Sequence, residues 1–555
     1  MTEWWKSAVV YQVYPRSFMD ANGDGIGDLK GVTSKLDYLQ NLGIDVVWLS
    51  PHFKSPNADN GYDISDYRAV METFGTMTGF EEMLAGIHAR NMRLIIDLVV
   101  NHSSDEHEWF QEAKKSKENP YRDYYIWQPN NNNKPPNDWI GFFSGSAWEL
   151  DPVTDEYYLH YFLKKQPDLN WENPELRKEI YDLMRFWLDK GVDGFRMDVI
   201  SLISKDTAFP NFPENKFGDL ATYANGPKIH DYLQEMNAEV LAKYDCMTVG
   251  EAFGISAEQA NDYVGKDRNE LNMIYHFDHA VPRNEHNFVA PEPEFTLTEL
   301  KAIFNKWDAA IGNNGWNTVY FGNHDNPRVL SRFGNTDGFW KESAKMIATL
   351  LLTLRGTPYL YQGDEIGMSN SEFKSIEEFE DVQVRNAYQT LIIEQKKEEK
   401  DFLTASNRIA RDHARTPMQW SAKPNAGFSS AENTWLKVNE NYKTVNADSQ
   451  EKDPNSVLNY YRNLIQLRKK TAALITGTYE DLLPESETVW VYKRSVSKLN
   501  YLIINNFTAK SEEFSSELLN DDATFVFGNY ESENPLLGTT LFLRPYESVI
   551  YKIIG

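Results

Sequence analysis

Short apolar segments typical of β-strands recur along most of this chain, with amphipathic helical stretches between them. The candidate strands are residues 9–13, 46–49, 94–100, 194–198, 247–251, 273–277, 318–323 and 358–361. Eight strands that alternate with helices match the count of a closed parallel barrel, in which each crossover is right-handed. An open doubly wound sheet would place a glycine-rich phosphate turn after its first strand, and none follows Val13. The sequence therefore predicts an α/β fold built on a (β/α)8 TIM barrel.

The length of the chain predicts additional domains. Its 555 residues exceed the roughly 250–300 at which one hydrophobic core stops growing. The interval between the third and fourth strands is too long for an ordinary connection, which predicts a small inserted domain at 103–170. Strand-like pieces without intervening helices predict an antiparallel, sandwich-like β domain at 481–555. The barrel then comprises 1–102 and 171–480, and a charged, partly helical excursion at about 369–455 is expected to fold back over its rim.

Charge and composition exclude several classes of partner. The chain carries 82 acidic and 56 basic residues, a formal charge of −26, which disfavours nucleic acid and anionic membranes as partners. Cys246 is the only cysteine, so no intramolecular disulfide can form. The N-terminus lacks the pattern of a signal peptide, and no run reaches the roughly 18 apolar residues of a membrane span. We expect a cytoplasmic protein, monomeric or weakly self-associating, that binds a small molecule.

Polar side chains end several of the predicted strands. Arg196 and Asp198 are two residues apart, so they share one face of their strand and can touch the same ligand. Such an arginine can keep a carboxylate ionised and oriented, which suits a nucleophile, although a salt-bridged strand end is the simpler interpretation. Glu251, Asp325 and His102 also follow apolar runs. Several polar strand ends on one rim of a barrel would form a site.

Four segments, at 94–102, 194–199, 248–251 and 321–325, resemble in their residues and in their order the four sequence regions of the α-amylase superfamily of glycoside hydrolases, family 13. The match is to its oligo-1,6-glucosidase and α-glucosidase branch, and the segments 4–5, 10–18, 166–170 and 414–420 reinforce it. The resemblance implies a retaining glycosidase, which uses two carboxyl groups about 5 to 5.5 Å apart. Asp198 would be the nucleophile and Glu251 the acid/base, while Asp325 would stabilise the transition state.

The same resemblance implies a set of residues that bind substrate. Asp59 and Tyr62 would form the glucose-binding subsite, and an arginine that pairs with Asp59 would grip the terminal 4-hydroxyl group; we favour Arg411 over Arg415. This pair would close the pocket and restrict the enzyme to single glucose units at the non-reducing end. The expected substrate-binding residues are Asp59, Tyr62, His102, Phe143, Phe162, Gln166, Arg196, Val199, His324 and Arg411.

Linkage preference is expected to depend on Val199. A valine after the nucleophile accompanies α-1,6 or mixed specificity in this branch, so isomaltose and isomaltooligosaccharides are the expected substrates. The alternatives are an α-1,4-glucosidase or sucrase, then a trehalose-6-phosphate hydrolase or a sucrose isomerase. The arginine-rich signature of sucrose isomerases is not visible in 327–332, and a non-catalytic binding protein would lose catalytic acids that are kept here. Phe253 and Asn326 differ from the residues that are most frequent at these positions in the branch. Both positions would lie near the leaving group.

The segment 20–28 is a candidate metal loop. Asp20, Asn22, Asp24 and Asp28 supply side-chain oxygens at positions 1, 3, 5 and 9 of a calcium loop, and Ile26 can offer its carbonyl at position 7. The twelfth position is Gly31 and not the glutamate of an EF-hand. The family resemblance implies structural Ca²⁺ in this loop, and a metal-free Asp/Asn/Gly turn is the alternative. No organic cofactor is expected.

Overall fold

The computed structural model describes residues 3–281, 288–290 and 293–553, in which twenty strands are present. In chain order, the strands are β1 (Val10–Val13), β2 (Val46–Leu49), β3 (Phe53–Lys54), β4 (Asp66–Val70), β5 (Arg93–Leu98), β6 (Trp127–Pro129), β7 (Trp148–Asp151), β8 (Glu156–Leu159), β9 (Gly194–Met197), β10 (Met247–Glu251), β11 (Met273–Tyr275), β12 (Thr318–Val319), β13 (Thr357–Tyr361), β14 (Thr478–Asp481), β15 (Val489–Val496), β16 (Leu499–Asn506), β17 (Glu512–Ser515), β18 (Thr524–Gly528), β19 (Thr540–Leu543) and β20 (Ser548–Ile553).

Eight parallel strands form a nearly closed barrel, which confirms the predicted fold class. Their order is β11-β10-β9-β5-β2-β1-β13-β12. Every residue of β1, β2, β9, β10 and β13 is buried, as expected for parallel strands covered on both faces. Each of the eight predicted segments contains or overlaps one barrel strand, although β12 is shorter than its predicted 318–323 because the chain leaves the sheet after Val319.

Helices connect the strands and pack around the barrel. They are α1 (Pro15–Phe18), α2 (Leu29–Ser34), α3 (Leu36–Leu42), α4 (Met77–Ala89), α5 (Glu108–Ala113), α6 (Pro174–Asp189), α7 (Ile229–Glu239), α8 (Ala260–Val264), α9 (Leu297–Ile311), α10 (Val329–Phe333), α11 (Trp340–Thr353), α12 (Val382–Tyr388), α13 (Glu399–Ile409), α14 (Asp412–Arg415), α15 (Ala447–Glu451), α16 (Val457–Lys470) and α17 (Ala472–Thr476).

Helix α6 shows how local sequence positions the site, because it precedes β9. Asn173 caps the helix by accepting the N–H of Glu175, and Pro174 occupies the first helical position, where proline suits a helix start. Trp187 is fully buried and donates its indole N–H to the carbonyl of Tyr67 at 2.9 Å. The helix therefore holds β9, and with it Arg196, against the preceding strands.

The segment 103–170 contains α5 and a small antiparallel sheet in the order β6-β8-β7. An isolated bridge from His102 to Asp168 ties it to the region after β5, and a second bridge, from Tyr125 to Leu169, lies within the segment. Its aromatic core, which includes Trp139 and Trp148, also contains Val199 and Leu202 from beyond β9. The inserted segment thus packs over the carboxyl end of the barrel.

The C-terminal part is antiparallel, as predicted. A five-stranded sheet, β14-β15-β16-β20-β18, lies with the two-stranded sheet β17-β19 around a common apolar cluster. The larger sheet begins at Thr478, slightly before the predicted domain start at 481. The domain limits themselves stay predictions. Within the described ranges, no helix combines the length and the apolar character that crossing a bilayer requires.

The excursion at 369–455 is helical only in part. The predicted helical pattern from residue 369 is realised from Val382 onward, as α12 and a π-helix at Gln389–Glu394. The preceding stretch is irregular because Phe373 and Phe379 turn inward and stack at 4.6 Å in a buried cluster. The chain then returns to the barrel rim through α14.

Candidate active site

Three carboxyl groups surround one buried guanidinium at the ends of β5, β9 and β10. Arg196 Nη1 lies 2.7 Å from Asp97 Oδ1 and 2.6 Å from Asp198 Oδ1, and its Nη2 lies 2.5 Å from Glu251 Oε1. The sequence predicts that Arg196 and Asp198 lie on one face of their strand. The structure also places Glu251 beside the guanidinium of Arg196. One planar guanidinium bridging two carboxylates suits the close spacing of retaining glycosidases, about 5 to 5.5 Å, better than the wider inverting arrangement.

Burial sets the electrostatics of this cluster. It raises the pKa of Asp198 well above its usual range, although Arg196 opposes the shift, and it raises the pKa of Asp97 to about 6. Burial also opposes the charge of Arg196, but Glu251 and Asp97 prevail and raise the arginine pKa well above its ordinary value. Burial and the neighbouring carboxylates therefore favour the protonated forms of Asp198 and Asp97, whereas Arg196 favours their ionised forms.

Val199 joins the nucleophile position to Glu251 through the backbone. It adopts φ 33° and ψ 41°, a left-handed conformation that is costly for a β-branched residue. In this conformation its N–H donates to Glu251 Oε2 at 2.9 Å. The backbone strain therefore accompanies a hydrogen bond that orients the carboxyl group of Glu251.

Asp325 lies in a strongly cationic environment. Its Oδ1 is 2.7 Å from Arg415 Nη2 and 3.3 Å from Arg411 Nη1, and its Oδ2 is 3.1 Å from His324 Nε2. Burial works against ionisation, but His324, Arg411 and Arg415 together hold the pKa of Asp325 well below its usual range. Asp325 is therefore the permanently ionised carboxylate of the site.

The predicted contact between Asp59 and Arg411 is wrong in this structure. Arg411 forms a two-point interaction with Asp381, Nε to Oδ2 at 2.9 Å and Nη2 to Oδ1 at 2.5 Å. Among the described residues, no cation lies within ion-pair distance of Asp59, whose Oδ2 accepts instead from Gln166 Nε2 at 3.0 Å. The cause is Asp381, a buried acid from the excursion that the sequence did not reveal. Burial raises the pKa of Asp59 to about 6, against the influence of Arg411.

The two predicted histidines occupy different positions. His102 faces the cavity with Nε2 3.2 Å from the carbonyl of Tyr62, and burial lowers its pKa to about 4. His324 is fully buried behind the wall, where Nε2 meets the hydroxyl of Tyr62 at 2.5 Å and Nδ1 meets Gln12 Nε2 at 2.8 Å. Burial lowers the pKa of His324 to about 3. The expected contact of His324 with sugar hydroxyls would require it to release Tyr62.

These groups line one cavity at the carboxyl end of the barrel, which we call the reaction pocket. It encloses about 830 Å³ of space, including solvent at its open mouth. Ten of the thirteen predicted catalytic and substrate-binding residues line it, and Gln166, Arg196 and His324 lie behind it. The lining residues are Asp59, Tyr62, His102, Phe142, Phe143, Phe162, Asp198, Val199, Glu251, Phe253, Phe277, Val281, Asp325, Asn326, Gln383 and Arg411.

The site includes residues that sequence reasoning did not assign to it. Asp97 had a detectable signal, because an acid inside an otherwise apolar buried run needs a partner. Asp381 and Gln383 had no detectable sequence signal, because they belong to the excursion, which is distant along the chain. Phe253 and Asn326 both line the pocket. They are the two residues that differ from those most frequent at these positions in the family branch.

The predicted metal loop is a compact turn held by its own side chains. Asp20 accepts the N–H groups of Gly23 and Gly25 at 2.7 and 2.8 Å, and the hydroxyl of Ser429 at 2.6 Å. Asp28 caps α2 through Gly31 N–H at 2.6 Å. Across residues 3–281, 288–290 and 293–553, no three Asp, Glu, His or Cys side chains gather as a metal-binding group.

Comparison with known proteins agrees with this geometry. The family described as alpha amylase, catalytic domain, matches residues 12–477, most of the chain. The chain belongs to the α-amylase family, glycoside hydrolase family 13. As a member of this family it is an enzyme, a glycoside hydrolase.

Relatives within the α-amylase family match along the whole chain. An oligo-1,6-glucosidase of Heyndrickxia coagulans is 51% identical over 562 residues, covering 100% of both chains. An α-glucosidase of Pediococcus pentosaceus is 45% identical and covers 99% of both. Among solved structures, the isomaltulose synthase of Protaminobacter rubrum is 44% identical with a TM-score of 0.96, and it covers 100% of both chains.

Proposed function

We propose that this protein is an exo-acting retaining α-glucosidase that releases glucose from the non-reducing end of short α-glucosides, with α-1,6 or mixed linkage preference. The observation that carries the proposal is that Asp198 and Glu251, which both line the reaction pocket, bind the same guanidinium. Isomaltose and isomaltooligosaccharides are the proposed substrates. The names of relatives that are about half identical over the full chain support this choice.

The proposed mechanism uses two displacements at the anomeric carbon. Glu251 gives its proton to the glycosidic oxygen, the bond from carbon to that oxygen breaks, and Asp198 forms an ester to the anomeric carbon. Glu251 then removes a proton from water, whose oxygen replaces Asp198 and releases α-glucose. Asp325, ionised between Arg411 and Arg415, stabilises the positive charge that develops on the sugar in both transition states.

The proposed exo action depends on Asp59 and Arg411. Both line the reaction pocket, and we propose that both bind the hydroxyl groups of the terminal glucose. Asp381 fixes the position of Arg411, and in the proposal this arginine blocks the binding of a further sugar. Val199 lines the opposite part of the pocket next to Glu251, where its branched side chain restricts the approach of the leaving sugar.

Sucrose isomerisation is the second candidate. Its support is structural, since an isomaltulose synthase shares this fold closely and at 44% identity. In such an enzyme the glucosyl ester would be attacked by the released fructose and not by water. The products of sucrose distinguish the two: free glucose and fructose indicate hydrolysis, and a rearranged disaccharide indicates isomerisation.

We also propose structural Ca²⁺ in the loop 20–28. The donors fit a hard cation because they are oxygens only. Asp20 Oδ1, Asp28 Oδ1 and both carboxylate oxygens of Asp24 accept a single hydrogen bond each. Among the described residues, no lysine, arginine or histidine forms an ion pair with Asp20, Asp24 or Asp28. Arg16 interacts with Asp24 only at longer range. The ion would tie the barrel to the excursion through Ser429. Location in the cytoplasm and a monomeric or weakly associating state stay predictions.

The function is tested by measuring glucose released from isomaltose, maltose, sucrose and trehalose-6-phosphate side by side. Fast hydrolysis of isomaltose that is lost in Asp198→Asn supports the proposal. The control is Asp206→Asn, an exposed residue outside the pocket, which should match the wild type. Hydrolysis of maltose or sucrose alone would overturn the linkage assignment, and near-normal turnover in Asp198→Asn would overturn the mechanism.

A further inference from the structure

A second cavity adjoins the reaction pocket and differs from it in chemistry. It lies between the inserted segment, the loop at 218–220 and α12 with the π-helix, and it holds about 780 Å³ up to its rim. We call it the apolar recess. It shares Phe142, Phe143 and Gln383 with the reaction pocket. The two cavities therefore adjoin at these three side chains.

The described walls of the apolar recess are uncharged. Of the residues placed by the structure, none that lines the recess is charged, whereas four acids and an arginine line the reaction pocket. Its walls include Ile140, Phe143, Leu220, Phe288 and Leu391. A surface of this kind is unusual in a chain of which 25% is charged, and unpartnered apolar surface next to a site marks a place where a ligand binds.

The polar groups of the recess are too few to bind a second sugar well. They are the side chains of Ser144, Gln383, Asn386 and Thr390. The Asn386 amide already donates to the carbonyl of Phe143 at 3.2 Å. A sugar placed here would lose hydrogen bonds to water that the walls do not replace, whereas an alkyl or aryl group would gain by leaving water.

Aromatic side chains connect the reacting bond to the recess. Phe253, next to the loop that follows Glu251, contacts Phe142 edge to face, with ring centroids 5.0 Å apart. Phe142 in turn lines the recess. A leaving group that departs past Glu251 therefore meets a continuous apolar surface that leads away from the charged groups.

We propose that the apolar recess is a subsite for the alkyl chain of α-glucosides whose leaving group is a long-chain alcohol. This inference rests on the proposed glucosidase function and adds to it a preference for longer alkyl chains. The glucosyl unit occupies the reaction pocket, the glycosidic oxygen lies beside Glu251, and the apolar chain extends over Phe142 into the recess. Hydrolysis then releases glucose and the alcohol.

A homologous series of methyl, butyl, hexyl and octyl α-glucosides tests the proposal, each below its micelle concentration. The value of kcat/KM should rise with chain length, by up to about fourfold for each methylene group that is fully buried. In Leu391→Gln, which puts an amide on the wall, the ratio of kcat/KM for octyl over methyl glucoside should fall at least about fivefold. Leu220→Gln on the opposite wall should act in the same direction.

The matched control is Ile393→Gln, in the same π-helix but outside the recess and 44% exposed. In this variant the ratio of kcat/KM for octyl over methyl glucoside should stay within about twofold of the wild-type ratio. A series that is flat in the wild type, or an equal loss in Ile393→Gln and Leu391→Gln, would overturn the inference while isomaltose hydrolysis persists. Absence of hydrolysis of both isomaltose and methyl glucoside would instead overturn the proposed function, and this inference with it.

Discussion

At the scale of single residues, the site is organised by buried arginines that each bind more than one acid. Arg196 contacts Asp97, Asp198 and Glu251, and Arg411 contacts Asp325 and Asp381. Because a guanidinium has five donors in a fixed plane, it can fix the relative positions of several carboxylates. Exchanging one of these acids should therefore disturb the geometry of the others.

Asp381→Asn tests this at a residue that does not line the pocket. The change removes the negative charge that holds the guanidinium of Arg411 in position. KM for isomaltose should therefore rise about tenfold, equivalent to about 1.4 kcal/mol, and kcat should change less. The free energy of unfolding should fall by about 1–3 kcal/mol. Steady-state kinetics and denaturant unfolding measure both.

The matched control for Asp381→Asn is Glu380→Gln, its neighbour, whose side chain is 37% exposed and pairs with Arg385. It should leave KM unchanged. If Asp381→Asn lowers stability without raising KM, Asp381 supports the fold and does not position Arg411.

The pH dependence of stability should report the buried carboxyl group of Asp59. Because burial raises its pKa to about 6, above the value of about 3.9 in an unfolded chain, this group stabilises the fold at low pH. That contribution is lost as the pH rises through 6. The stability of the wild type relative to Asp59→Asn should therefore fall by up to about 3 kcal/mol between about pH 4 and 7.

Denaturant unfolding of both proteins across this pH range provides the measurement. Contributions from other titrating groups, such as Asp97, cancel in the difference. Asp37→Asn serves as the control because its side chain is 75% exposed, and it should show no such trend. A constant difference between wild type and Asp59→Asn would show that Asp59 titrates normally.

At the scale of elements, the barrel could be predicted because its strands are locally encoded. A short, wholly apolar run such as 46–49 has few alternatives to a buried parallel strand, and the structure has that strand with the predicted limits. The C-terminal antiparallel strands were predicted by the same reasoning, whereas the inserted segment was predicted only from the length of the interval between two strands. Strand ends were less predictable: the run at 318–323 continues to be apolar after the chain has left the sheet.

The parts of the site that sequence could not supply are long-range contacts. Nothing near Asp381 indicates that it meets Arg411, thirty residues later, and the sequence instead favoured Asp59 as the partner. The choice between two acids for one arginine depends on how the excursion folds, which has no local signal. The three proposed catalytic acids were predicted because each one follows an apolar run and has recognisable neighbours, although Asp325 lies beyond the end of β12.

The loop 20–28 and the excursion should depend on each other. Asp20 N–H donates to Phe428 O at 3.0 Å, and Trp435 N–H donates to Gly25 O at 3.1 Å. If Ca²⁺ occupies the loop, chelation by EDTA should lower Tm by at least about 3 °C, and added Ca²⁺ should restore it. Elemental analysis should find about one calcium per chain.

Asp24→Asn should abolish this response to EDTA, because it removes a proposed calcium ligand, whereas the exposed variant Asp37→Asn should respond like the wild type. A wild-type Tm that ignores EDTA, in protein that contains no calcium by elemental analysis, would show that the loop is a metal-free turn.

At the scale of the whole molecule, the C-terminal sheet is fastened to the barrel by buried cations. Lys301 on α9 donates to the carbonyl oxygens of Leu483, Ser486 and Val489, each at 2.7 Å. Lys301→Met keeps the length of the side chain but leaves these acceptors without their donor, which should cost about 2–4 kcal/mol of unfolding free energy. Thermal unfolding, followed by circular dichroism, measures the loss.

Lys306→Met, on the same helix, is the control for Lys301→Met, since Lys306 is half exposed and its nearest acid, Asp278, is 3.8 Å away. The two variants should differ clearly in Tm. Equal Tm values would show that the apolar contacts between the barrel and the sheet, and not the Lys301 hydrogen bonds, hold the C-terminal part in place.

The central claim is that Asp198 attacks the anomeric carbon while Glu251 supplies and later removes the proton. The most direct measurement is mass spectrometry of peptides after incubation with 5-fluoro-α-glucosyl fluoride, which forms the glucosyl ester quickly and hydrolyses it slowly. We predict a fluoroglucosyl group on the peptide that contains Asp198, and none on that peptide in Asp198→Asn. A label on another carboxylate, or active enzyme that never becomes labelled, would contradict the account.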